Sequence, residues 1–450
     1  MRRRRIEKGS GTFSATEKVP DPFLSVAIVF LLAVHAQAQE AKFVGVASCA
    51  STVCHGALIA RDGISIPQNE YIVWSEEDEH ARAYDVLLSS RSRAMADNLG
   101  IGDPQEAAMC LDCHATNADR DARTGKFQIS DGVSCESCHG AASAWLGTHD
   151  DAGRTHAENV DAGMTDLADV GVRAQVCASC HVGDDQRFVS HRIMAAGHPR
   201  TSFELDTFTH LQPRHYRVDD DYRARKGEIS GVQAWAVGQA AGVLDYFERL
   251  AGHADSAAVW PEFALFDCFS CHHDIGSRQA GGGGVRSTSS LGVPSVLRAS
   301  ATMYEIAADA AALPQAARID SALRELETTL ATRGGQAAST ARSLRERAAL
   351  GLRSLRQWKP RRQDVLRMLA KLSSEPMIER YRSYSDAEQA TMAVQAVVAT
   401  LEDPRAASGD TRLAAALDGL FRATASEASF RADAFAMAMK GVASAARSAR

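Results

Sequence analysis

Apolar positions repeat with a helical period over long stretches of this chain and rarely alternate as strands do. Trp235, Val237, Ala241, Leu244 and Phe247 recur at roughly helical spacing and predict one long helix over Val232–Ala254. Leu344, Ala348, Leu352 and Leu355 form a second stripe, which Pro360 brings to a stop. From residue 294 onward the composition turns to Ala, Leu and Arg, which predicts an α-helical bundle of four to six helices over 294–450. Residues 276–293, with Gly281–Gly284 inside them, read as a flexible linker. A shorter apolar run, Phe23–Val34, follows the basic start MRRRRIEKGS and precedes Ala36-Gln37-Ala38. That order predicts an export signal over residues 1–38, cleaved to begin the mature chain at Gln39. The run falls short of the ~20 residues a membrane-spanning helix needs, so no transmembrane segment is expected after cleavage. The expected fold is mainly α, with a loop-rich region at 39–275 followed by the linker and the helical domain.

The cysteines give the loop-rich region its chemistry. All ten fall in pairs, and each pair ends in histidine: Cys49…Cys54-His55, Cys110…Cys113-His114, Cys135…Cys138-His139, Cys177…Cys180-His181 and Cys268…Cys271-His272. Histidine fills only 15 of 450 positions, so five such endings are not chance. Export would favour disulfides for an even cysteine count, and zinc would combine pairs in twos; neither explains an odd number of pairs each followed by histidine. C-x-x-C-H is the attachment signature of c-type haem. Positions i, i+3 and i+4 share a helix face, so both thiols reach one haem edge while the histidine swings under the iron. The first pair has four residues between its thiols, CASTVCH, and its loop must bulge to bring the sulfurs together. Five covalently attached haem c groups are expected, and in a region this short they must form much of the core.

Each iron has a second axial seat. Nine further histidines follow the leader, all before residue 274. His80, His149, His191, His198 and His273 are the expected distal ligands, with His215 in reserve. His156, His210 and His253 read as solvated or hydrogen-bonded.

The segment Trp74…His80-Ala-Arg-Ala, the block Gly132-Val-Ser-Cys-Glu-Ser-Cys-His-Gly followed by His149, and the Cys177–His181 site resemble one known family. It is that of the periplasmic tetrahaem cytochromes c, of the c-554 type, that accept electrons from hydroxylamine oxidoreductase. The resemblance covers roughly residues 43–275. It implies distal roles for His80 and His149 and closely stacked, mostly bis-histidine haem pairs. It also implies one haem that sometimes lacks a sixth ligand, by position the second, on His114. The chain departs from the pattern in its four-residue spacer, its fifth site and its long cysteine-free tail.

Charge divides along the chain. Residues 39–290 carry 21 Lys+Arg against 36 Asp+Glu, and residues 291–450 carry 23 against 17. The basic run Arg353–Arg367 reads as a solvated face or as a dock for an acidic surface, the protein's own or a redox partner's. Nucleic acid is not expected to bind an exported, acidic chain. The expected function is single-electron transfer between periplasmic donor and acceptor proteins, with no catalytic residue. The alternative is an oxidoreductase converting a small nitrogen or sulfur compound at a five-coordinate haem, and the chain has no C-x-x-C-K site for such chemistry. A structural or sensory subunit, its basic helices recruiting a partner, is a third reading. Nothing in the sequence fixes an oligomeric state.

Overall fold

Short helices joined by turns carry the cysteine-rich half: α1 (Glu70–Glu77), α2 (Ala83–Leu87), α3 (Ser90–Leu99), α4 (Ala108–His114), α5 (Cys135–His139), α6 (His156–Asp161), α7 (Val170–Ala178), α8 (His191–Ala195), α9 (Leu205–Leu211) and α10 (Asp220–Lys226). Longer ones follow: α11 (Gly231–Asp255), α12 (Ala299–Ala310), α13 (Ile319–Ala331), α14 (Gln336–Gln357), α15 (Arg362–Leu372), α16 (Glu375–Ile378), α17 (Tyr384–Leu401), α18 (Thr411–Ala423) and α19 (Ala432–Ser448). This computed structural model describes residues 40–63, 66–184, 187–255, 262–272, 295–314, 319–331, 336–401 and 411–448. The leader 1–38, the linker 276–293 and His273 lie outside the described residues. Among those described there is no strand, only the isolated bridges Phe43–Arg123 and Phe266–Val296, so the chain is mainly α as its periodicity predicts. After residue 294 the described residues form eight helical segments, more than the four to six expected, because short breaks divide the Ala/Leu-rich stretches.

Lys42–Arg450 clusters as one compact unit. At its centre lies α11, buried on nearly every side from Val232 to Val243. It packs against α7 and α9 from the first half and against α12, α14 and α17 from the second. Small residues permit the close approach. A Cβ on Gly238 would stand 2.6 Å from the Leu205 Cβ, and one on Gly351 in α14 would overlap the Tyr304 hydroxyl. The stripe Leu344, Ala348, Leu352 and Leu355 is buried, and α14 stops three residues before Pro360. Polar links fix the register. Gln233 Nε2 donates to the Arg356 carbonyl at 2.9 Å, and Gln239 Nε2 donates to Gln389 Oε1 at 2.8 Å.

The charge asymmetry is used internally. Arg342 pairs with Asp255, Arg345 with Glu248 and Arg356 with Asp169, so the basic half meets the acidic half inside one chain, while the Arg200–Glu388 pair runs the other way. Asp169 also caps α7, accepting from Gly171 N at 2.8 Å and Val172 N at 3.2 Å.

A buried carboxyl makes stability depend on pH. Glu204 is 1% exposed and caps α9, accepting from Asp206 N at 2.7 Å and Thr207 N at 2.8 Å. Burial, with Asp206 beside it, pushes its carboxyl up to about 7. The folded chain therefore holds this proton more tightly than the unfolded chain does. The associated stability is complete below about pH 4.5 and is lost as pH rises through about 7. Denaturant titrations between pH 5 and 8 should show this decline, on the order of 2–3 kcal/mol, and Glu204→Gln should flatten it.

Candidate haem centres

The paired thiols sit on single turns. Cys110, Cys113 and His114 close α4, and Cys135, Cys138 and His139 make up α5. Cys177 lies in the last turn of α7, with Cys180 and His181 in the wider turn Ser179–Gly183 that extends it. Cys268 opens a 3-10 turn, and His272 N returns to the Cys268 carbonyl at 2.8 Å. The long first loop folds back on itself: His55 N donates to the Cys49 carbonyl at 3.3 Å and Gly56 N to the Ser51 carbonyl at 2.9 Å. Gly56 is required there, because a Cβ would lie 2.0 Å from the Ala50 carbonyl oxygen. All ten cysteines are free of disulfides. No group of three or more His, Cys, Asp or Glu among the described residues is arranged to hold a bare metal ion.

Each attachment histidine faces one other imidazole. Ring centres lie 6.1 Å apart for His55 and His149, 6.3 Å for His114 and His198, and 6.4 Å for His139 and His215. They lie 6.1 Å apart for His181 and His80 and 6.3 Å for His272 and His191. A metal–imidazole bond of about 2.0 Å, plus roughly 1.2 Å from nitrogen to ring centre, places two rings that share one metal about 6.4 Å apart. The residues therefore fit an iron between each pair, with two thiols beside it. His55 and His149 are nearly parallel, 23° apart, whereas His80 and His181 stand at 85°.

Hydrogen bonds on the far nitrogens fix the rings. Nδ1 of His114 meets the Ala83 carbonyl at 3.0 Å, His149 the Leu146 carbonyl at 2.8 Å and His198 the Pro199 carbonyl at 2.8 Å. His55 Nδ1 meets Glu70 Oε2 at 2.9 Å and His80 Nδ1 meets Asp78 Oδ1 at 2.8 Å. With Nδ1 engaged as donor, Nε2 keeps its lone pair for a metal. Burial pushes His139 and His181 down to about 4, which keeps both neutral and able to ligate.

Four of the expected distal residues, His80, His149, His191 and His198, are thus brought to attachment histidines. The fifth partner is His215, the one held in reserve; His273 lies outside the described residues. His156 bonds Asp166 and His210 bonds the Asp206 carbonyl, and among the described residues neither ring packs on an attachment histidine. Sequence reasoning also missed Glu136, inside the third motif. Its buried carboxylate accepts from Val44 N, Gly45 N and Ala142 N at 2.8–2.9 Å and ties the approach to the first site onto the third.

The sites are neighbours in a definite order. Cys49 lies beside Cys135, joining the first and third. Cys113 lies beside Cys180, and the Cys180 thiol reaches the Asp112 carbonyl at 3.9 Å, joining the second and fourth. Cys138 lies within electrostatic reach of Cys177 and Cys180, joining the third and fourth. His191 and His198, at the start of α8 and just beyond its end, face the fifth and second.

Residues 47–140, spanning the first three motifs, match the family described as cytochrome c554 and c-prime. Over those residues the match upholds the resemblance drawn from the motifs, and it supports a c-type cytochrome involved in electron transfer through covalently bound haem. No curated protein and no solved structure gives a significant match. No described helix is long and apolar enough to cross a membrane.

Proposed function

We propose that the protein is a periplasmic electron carrier holding five c-type haems, each between two histidines: His55 and His149, His114 and His198, His139 and His215, His181 and His80, His272 and His191. The observation that supports this is the recurrence of one ring spacing, 6.1–6.4 Å, at all five motifs. Haem c supplies a one-electron iron couple. The chain's own residues hold both axial seats and set the order of the sites: first, third, fourth, second, fifth. In this reading the second site differs from the one the resemblance implies, because His198 occupies the seat opposite His114 and leaves no face for a substrate. Such a chain of filled sites suits passage of electrons between a donor and an acceptor protein. Low-temperature electron paramagnetic resonance of the oxidised protein should show low-spin iron alone, with intact mass reporting five haems. A high-spin signal that moves with cyanide or nitric oxide would overturn the carrier reading in favour of substrate chemistry.

A further inference from the structure

Helix α1 places one carboxylate at each end. Glu70 is its first residue, and Asp78 follows its last. Glu70 Oε2 meets His55 Nδ1 at 2.9 Å while its Oε1 accepts from Gln68 N at 3.0 Å. Asp78 Oδ1 meets His80 Nδ1 at 2.8 Å and accepts from His80 N at 3.0 Å, while Oδ2 accepts from Gln212 Nε2 at 3.0 Å. Neither carboxylate is free to swing away. Asp78 is 3% exposed, and the Glu70 side chain is largely covered. The helix is pinned as well, with Tyr71 N on the His55 carbonyl at 2.9 Å and Trp74 Nε1 on the Val133 carbonyl at 3.1 Å. Gln68, next to this arrangement, takes φ 62, a conformation costly for a side-chain-bearing residue.

The second site is built differently. His114 and His198 bond only neutral carbonyls, of Ala83 and Pro199. A carboxylate on the far nitrogen draws the imidazole proton towards itself and makes the ring a stronger electron donor to its metal; a carbonyl does so less. A stronger donor favours the oxidised metal.

The geometry points to Glu70 and Asp78 as positioning residues that set redox potential through His55 and His80, making the first and fourth irons harder to reduce than the second. This rests on the five-haem reading. Among these three sites an electron then resides preferentially at the second. One short helix sets this bias at both of its ends.

The test is a spectroelectrochemical titration of the full, haem-loaded protein, with electron paramagnetic resonance and intact mass on each sample. Glu70→Gln and Asp78→Asn keep an acceptor on the imidazole and remove its charge. In each, one of the five reduction steps should move to higher potential while five haems and low-spin signals persist. Gln212→Leu removes a neutral donor from Asp78 and concentrates charge on the oxygen facing His80, so one step should move to lower potential. Opposite shifts from D78N and Q212L support the proposal; unchanged midpoints, or shifts of the same sign, overturn it. If D78N loses a haem, Q212L decides alone, with a downward shift in support and no shift or an upward one against. A wild-type protein with fewer than five haems, or with high-spin iron, would instead count against the five-haem reading.

Discussion

In the five-haem reading, His198→Ala should convert one iron in five from low-spin to high-spin and leave the haem count unchanged. Attachment of the second haem would depend on Cys110, Cys113 and His114, the end of α4, none of which the substitution touches. What is lost is the ring 6.3 Å from His114. The loop carrying His198 follows α8 and is held by Asn98 Nδ2 on the Ala196 carbonyl at 3.2 Å and Arg91 on the Gly197 carbonyl at 3.0 Å, so the backbone should stay in place. The vacated seat should bind cyanide, which the parent protein should not do at this iron. Electron paramagnetic resonance and cyanide difference spectra check both statements. His156→Ala, which removes a histidine bonded to Asp166, should alter neither. An unchanged spectrum for His198→Ala would mean that another group fills the seat.

The contrast with His156 marks how far sequence reasoning reached. Attachment sites were legible because their chemistry is local: two thiols and a histidine on one turn have a spacing that survives in the sequence. The imidazoles that face the attachment histidines come from segments remote in the chain, and linear spacing carries no record of them. His80 and His149 were reachable through the family resemblance, whereas His215 was not. It stands between Arg214 and Tyr216 in a loop with no periodic pattern, and its signal is the aromatic packing of Tyr216 on Tyr222. His273 ranked higher only because it adjoins an attachment histidine.

Other features were legible in kind and not in meaning. The stripe of α11 gave its helix to within a residue at each end and that of α14 gave its C-terminal stop, since burial enforces a strict period. The break between acidic and basic halves was plain in the composition, but its use is not. Arg356 reaches Asp169 at the head of α7, and Arg345 reaches Glu248 in α11, contacts that only the folded chain brings about. Glu136 was invisible for a further reason. Lying between two cysteines, it read as a spacer, and its three amide partners come from loops.

Trp235→Ala should cost about 3–5 kcal/mol of stability, the largest loss of any single substitution in the helical core. Trp235 is fully buried in α11, the helix that α7, α9, α12, α14 and α17 all pack against. Removing its ring opens a cavity that these neighbours can close only by moving together, and α11 is already held at Gln233 and Gln239 by bonds to α14 and α17. The indole Nε1 has no acceptor among the described residues, so part of the native ring's benefit is already offset by a buried, unpaired donor. Trp235→Phe removes that donor while keeping most of the apolar volume. Its cost should therefore be about 1 kcal/mol, well below that of the alanine variant. Denaturant unfolding followed by far-ultraviolet circular dichroism separates the two. Equal losses from alanine and phenylalanine would show that the indole nitrogen has a partner and that the stability of α11 rests on a hydrogen bond rather than on packing.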